Sequence, residues 1–111
     1  MSEKKIRGGA LVARALKDKG IEHVFTLSGG FCNPALEGFM ECQINVINCP
    51  HEQIAGHLAD GHTRITRKPS VCIVGPEGFA NAVPSMMEAW GERSPVIFIT
   101  GSSSLKRQGS G

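Results

Sequence analysis

The stretch INVINCPHEQIAGHLADGHTRITRKPSVCIV, Ile44 to Val74, decides the fold. Its two ends, Ile44–Cys49 and Ser70–Val74, are short apolar runs with no polar alternation. A strand buried on both faces reads that way. Between them, Glu52 to Arg64 predicts a long helix, with Pro69 shortly beyond its basic end. A strand, a helix of more than ten residues and a second strand fit a parallel pair joined by a right-handed crossover.

The same alternation extends outward. Ile6, Ala10, Leu11, Ala13, Ala15 and Leu16 fall at helical spacing, and Gly20 is a natural stop. Glu22 to Leu27 predicts a strand that ends at Ser28-Gly29-Gly30. Pro34 predicts a first helical turn, with Asn33 as its cap. On the other side, Gly75-Pro76-Glu77-Gly78 predicts a turn, and a helix from about Asn81 to Gly91 follows with Asn81 as its cap. That start places Pro84 in the first turn, where proline is tolerated. Ser94 to Thr100 is the fourth apolar run. Helix and strand alternate four times, so the fold expected is a three-layer α/β/α domain with a mostly parallel sheet of at least four strands. The domain is expected over residues 1–101, with 102–111 a Gly/Ser-rich loop or tail.

Composition narrows the function. The chain has 111 residues, 41% hydrophobic and 20% charged, with a formal net charge of +2. A charge this small gives no broad basic face for nucleic acid. The basic cluster Arg64-Ile65-Thr66-Arg67-Lys68 reads as a solvated helix end. No segment reaches the roughly 18 apolar residues of a membrane span. The charged start Met1 to Lys5 is not followed by an apolar leader core. Cys32, Cys42, Cys49 and Cys72 lack close pairing, as expected of reduced thiols in a cytoplasmic protein.

Ligands in such sheets gather at the carboxyl ends of strands. The loops expected there are Ser28–Asn33, Cys49–Gln53 and Gly75–Asn81. His51, Glu52, His57, Asp60 and His62 crowd into and beyond the second of these. They do not form the H-E-x-x-H pattern of a helical zinc site, and His57 and His62 diverge around the helix, so no metal site is expected. A Walker loop, a G-x-G-x-x-G fingerprint and a G-x-S-x-G elbow are all absent. Glu52 has two readings from spacing alone. It is a first-turn glutamate favoured by the helix dipole, or a carboxyl shielded in a strand-end crevice and able to hold or pass a proton.

The blocks LVARALKDKGIEHVFTLSGG, HEQIAGHLADGHTR, KPSVCIVGPEGFANAV and SPVIFITG resemble the N-terminal pyrimidine-binding domain of thiamine-diphosphate-dependent enzymes, in the acetolactate synthase-like group. The resemblance covers about Ala10 to Gly101. It implies that Glu52 hydrogen-bonds the cofactor's aminopyrimidine N1′ and so promotes loss of the thiazolium C2 proton, in a lyase, synthase or decarboxylase acting on 2-keto acids or related carbonyl compounds. It implies that Gly29 and Gly30 leave room for cofactor and substrate, that Gly78 and Asn81 lie against the aminopyrimidine, and that Gly56 and Ala59 let the glutamate helix pack closely. It implies thiamine diphosphate as cofactor, with Mg2+ held by a diphosphate domain outside this chain, and leaves FAD open. It also implies a homo-oligomer, dimer or tetramer, or a separate diphosphate-binding domain as partner, with no nucleic acid and no membrane.

Three departures accompany it. Glu77 adds a charge where the family often reads S-G-P-G. His62 stands where A-D-G-Y-A-R has its aromatic. The Gly-Asp-Gly…Asn motif is missing, and the chain ends in a loop, as expected of a truncated form that is silent alone. The rival expectation is a non-catalytic α/β association module or a degenerate fragment.

Overall fold

The computed structural model describes residues 5–29, 32–102 and 104–109. Helix α1 (Gly8–Asp18) leads to strand β1 (His23–Leu27), α2 (Asn33–Glu41), β2 (Asn45–Asn48), α3 (Glu52–Thr66), β3 (Ser70–Val74), α4 (Phe79–Gly91) and β4 (Val96–Thr100). All strand pairs are parallel and the order is β2-β1-β3-β4. The expected three-layer α/β domain is therefore present. No helix among the described residues is long and apolar enough to cross a membrane.

The strands were expected to be buried on both faces, and only β3 is buried at all its positions. The edge strands β2 and β4 are partly exposed. Their apolar content resembles that of the central strands, and only the order in the sheet distinguishes edge from centre. Each face of the sheet has its own core. On one lie Ala13, Ile21, Val24, Leu36, Phe39, Ile44, Val71 and Ile73, closed by α1 and α2. On the other lie Phe25, Cys49, Ala55, Ala59, Cys72, Val74 and Ala82, closed by α3 and α4. The second core is built largely from alanine and cysteine, so its helices sit close to the strands and to each other.

Two helix caps differ from expectation. Asn33 is the first residue of α2, whose cap position is Cys32 without a side-chain bond. The carbonyl of Gly29 accepts from the Cys32 and Asn33 N–H groups instead (2.9 and 3.1 Å), so backbone does the work of the missing cap. Asn81 is likewise not a cap. Helix α4 begins at Phe79, directly after a 3-10 turn over Pro76–Gly78. Pro76 opens that turn, where its missing N–H costs nothing. Pro84 then falls inside α4 rather than in its first turn. It has no N–H to return to the carbonyl of Ala80, and Ala80 is exposed, so water can serve that group.

Candidate functional site

Glu52 is the first residue of α3. His51 is the cap, and its Nδ1 accepts the N–H of Gln53 at 3.0 Å. That bond satisfies an otherwise orphaned donor and fixes where the helix starts. Glu52 is thereby held at the carboxyl end of β2, over the loop that follows β3.

Gly78 closes that loop. Its backbone, φ −92° and ψ −4°, is open to any residue, so conformation does not require glycine here. Space does. A Cβ on Gly78 would overlap Oε1, Cδ and Cγ of Glu52. The glutamate side chain lies directly on the bare glycine. Asn81, in the first turn of α4, donates from Nδ2 to Glu52 Oε2 at 3.3 Å. Glu52 thus meets Gly78 and Asn81, which lie together but far from it in sequence, in one contact. The carboxylate is half-buried rather than sealed from water.

The other expected residues lie outside this contact. Gly29 has open space where a Cβ would point, and its carbonyl starts α2. Gly30 lies outside the described residues. The β1 loop is tied to β2, because the Ser28 N–H donates to Asn48 Oδ1 at 3.2 Å. Beneath that tie is a groove of about 370 Å3 lined by Thr26, Ser28, Asn33, Leu36, Met40 and Asn48, among others. Asn48 was not singled out in the sequence, where it reads only as the last polar position of a strand. Glu77 turns back on its own loop, its Oε2 lying 3.1 Å from where a Gly75 Cβ would stand.

The remaining polar residues of α3 separate as their spacing requires. His57 is exposed and lies 3.4 Å from Gln53 Nε2. His62 faces the sheet, edge-on to His23 with ring centres 4.8 Å apart and tilted over Phe25 at 5.6 Å. Burial, and then the nearby His23, push the His62 imidazole below its ordinary value. Arg64, expected in solvent, instead grips buried Asp60 through Nε (3.0 Å) and Nη2 (2.8 Å) and reaches Glu88 of α4 at 3.2 Å. Burial pushes the Asp60 carboxyl up, but the Arg64 hydrogen bonds and charge outweigh it and hold the group below the usual range.

All four cysteines are free. Burial raises the thiols of Cys32 and Cys49, and pushes Cys72 up to about 12, so these three are neutral packing groups.

A family model described as "Thiamine pyrophosphate enzyme, N-terminal TPP binding domain" matches residues 6–111. The acetolactate synthase large subunit IlvG of Mycobacterium tuberculosis is 38% identical over 108 residues, covering 96% of this chain and 20% of that protein. The 2-hydroxyacyl-CoA lyase 2 of Danio rerio is 34% identical over 106 residues, covering 94% and 17%. A solved thiamine diphosphate-dependent 4-hydroxybenzoylformate decarboxylase from Rhodococcus jostii RHA1 superposes with a TM-score of 0.84 at 21% identity, over 94% of this chain and 20% of that one. The chain thus spans about a fifth of the length of the relatives it matches.

Proposed function

This chain belongs to the family of N-terminal TPP-binding domains of thiamine pyrophosphate enzymes, and from that premise we propose that it supplies the cofactor-activating glutamate, Glu52, of a lyase, synthase or decarboxylase. The observation that carries the reading is the seat of Glu52. Gly78 leaves the room that its side chain fills, and Asn81 engages one of its oxygens. A first-turn glutamate serving only the helix dipole needs neither a glycine beneath it nor an amide beside it.

Thiamine diphosphate supplies the carbon nucleophile and the electron sink. Glu52 would bind the aminopyrimidine N1′ and exchange a proton there, with Gly78 forming the adjoining wall. Gly29, which leaves open space on the β1 loop, suits the approach of a bulky group. A carboxyl is needed because it can both hold a proton against a ring nitrogen and release it; glutamine can hold but not exchange. Half-exposed Glu52 gains its dry surroundings when a second surface covers it. Ile54 and Leu58 on α3, with Phe79, Val83, Met87 and Trp90 on α4, are exposed and apolar on the two helices that carry the Glu52 contact. We assign that cover to a second copy or to a diphosphate-binding domain, which would also hold Mg2+, in a cytoplasmic enzyme. FAD use stays open.

The test is the C2 proton exchange of thiamine diphosphate, followed by deuterium incorporation in the assembly that includes the diphosphate-binding half. Glu52→Gln should slow exchange by about 10²–10⁴-fold, the usual weight of one proton-transfer group. Exchange at the wild-type rate would leave the association module, which the same apolar face supports, as the better account.

A further inference from the structure

We propose that Asn81 is a positioning residue for Glu52, and that a contact one helical turn away, Gly56 against Ser85, sets its reach. The role in catalysis rests on the cofactor-activating reading above; the positioning itself does not.

Helices α3 and α4 present their contact residues at the same spacing. On α3, Glu52 and Gly56 are four residues apart; on α4, Asn81 and Ser85 are four apart. Each pair stands on one helix face, one turn above the other. The two pairs meet as successive rungs. In one, Asn81 Nδ2 donates to Glu52 Oε2 at 3.3 Å. In the other, Ser85 Oγ and Cβ occupy the place a Gly56 Cβ would take, with a Phe98 ring carbon at 3.3 Å behind it.

The second rung cannot slacken. Ser85 is fully buried, and its hydroxyl turns back to donate to the Ala82 carbonyl at 2.5 Å. Phe98, from β4, borders the same space beside Gly56. The α4 backbone is therefore held at a fixed height along α3, and the short side chain of Asn81 meets Oε2. A neutral donor suits the task, since it orients the carboxylate without neutralising it as a lysine or arginine would. Gly78 lies beneath the Oε1 side, so one oxygen is held by an amide while the other rests on a residue without a side chain. Two observations thus unite: why a glycine faces a serine in mid-helix, and why an asparagine stands where no cap is needed.

The experiment uses the full chain, with the Asn81 side-chain amide followed by nitrogen-edited NMR. Glu52→Gln, which replaces the charged acceptor, should shift the Asn81 amide resonances. Asn81 is exposed, so its bond to Glu52 is what the amide reports; Gly56→Ala, which pushes the helices apart, should move its resonances toward those of an amide bonded only to water while β1 and β2 signals stay in place. If Gly56→Ala does not fold, Glu52→Gln still decides. Amide resonances indifferent to Glu52→Gln would overturn the positioning claim, whatever Glu52 does with cofactor. In the loaded assembly, Asn81→Ala should lower kcat about 10- to 100-fold, the scale of one hydrogen bond to a charged group, with KM for cofactor nearly unchanged. Asn81→Gln, which keeps the amide on a longer stem, should recover part of that loss. A change in KM alone would make Asn81 a cofactor contact and overturn the proposal. If the amide responds but Glu52→Gln leaves C2 exchange intact, the cofactor-activating reading fails, and the catalytic role of Asn81 with it.

Discussion

The two faces of the sheet solve the same packing problem in different ways. On the α1–α2 face the helices meet backbone to backbone. A Cβ on Gly9 would overlap the Pro34 carbonyl, and one on Gly38 would stand 2.6 Å from the Gly9 oxygen. On the α3–α4 face the obstructing atoms are side chains: Ser85 opposite Gly56, and Glu52 over Gly78. Backbone cannot yield to a new methyl group without moving a helix. A glutamate tip can. The first pair of glycines therefore belongs to the fold, whereas Gly78 belongs to the site, although all three read alike in the sequence.

The surface ion pairs repeat the division. Arg7 links α1 to Glu37 at 2.7 Å and to Glu41 on α2, with every partner more than half exposed, so solvent screens the pairs and they add little. Arg64 instead engages a carboxylate that is only 5% exposed, and it bridges α3 to α4. Asp60 without that guanidinium would be a buried, uncompensated charge.

The sharpest way to break this comparison is Gly78→Ala. Its backbone accepts alanine, so denaturant stability should stay within about 1 kcal/mol of wild type. The displaced Glu52 carboxylate should nevertheless cost about 10²-fold in C2 proton exchange, the typical penalty for a misplaced group. Equal losses of stability and exchange would show Gly78 to be a folding glycine after all. Next comes Gly38→Ala, which should destabilise the chain by about 1–3 kcal/mol, as overpacking does. An urea melt unchanged in midpoint would mean that the α1–α2 contact is looser than its geometry implies.

The smallest expected effect is His62→Phe, read against pH. The folded-state value of His62 is lowered from its ordinary 6.5. The folded chain then binds fewer protons than the unfolded one, so stability is full above about 6.5 and falls as pH drops through the folded value. His62→Phe keeps the ring against Phe25 and should flatten that decline by about 1 kcal/mol or less. Asp60 adds a separate acid limb. Its folded-state value is lowered from 3.8, so its contribution is present above 3.8 and is lost as pH falls below it. Chemical denaturation between pH 3 and 8 separates the limbs, and an unaltered slope between 5 and 7 in His62→Phe would exclude His62 as the source.

What was legible in the sequence depended on whether the signal was local. Element type was legible throughout, because apolar periodicity and Gly/Pro punctuation act over a few residues. Helix starts were less so. Asn33 and Asn81 both look like caps, yet α2 is started by a backbone carbonyl and α4 by a 3-10 turn that opens at Pro76. A cap signal says that a side chain can bond to backbone, and the competing partners are fixed only when the loop is folded. Arg64 misled for a similar reason, since Glu88 lies 24 residues away.

By itself, then, the sequence determined the alternation of helix and strand and the parallel α/β class, since each depends on residue type and short-range spacing, whereas Glu52 kept two readings on spacing and stood out through the resemblance of its H-E-Q block. Only the tertiary structure decided that β2 and β4 are edges, that His62 packs on β1, and that Gly78 and Asn81 both converge on Glu52. Those facts arise where two crossovers bring separate segments to one end of the sheet. Proximity of that kind is produced by packing a whole chain, and no local stretch encodes it.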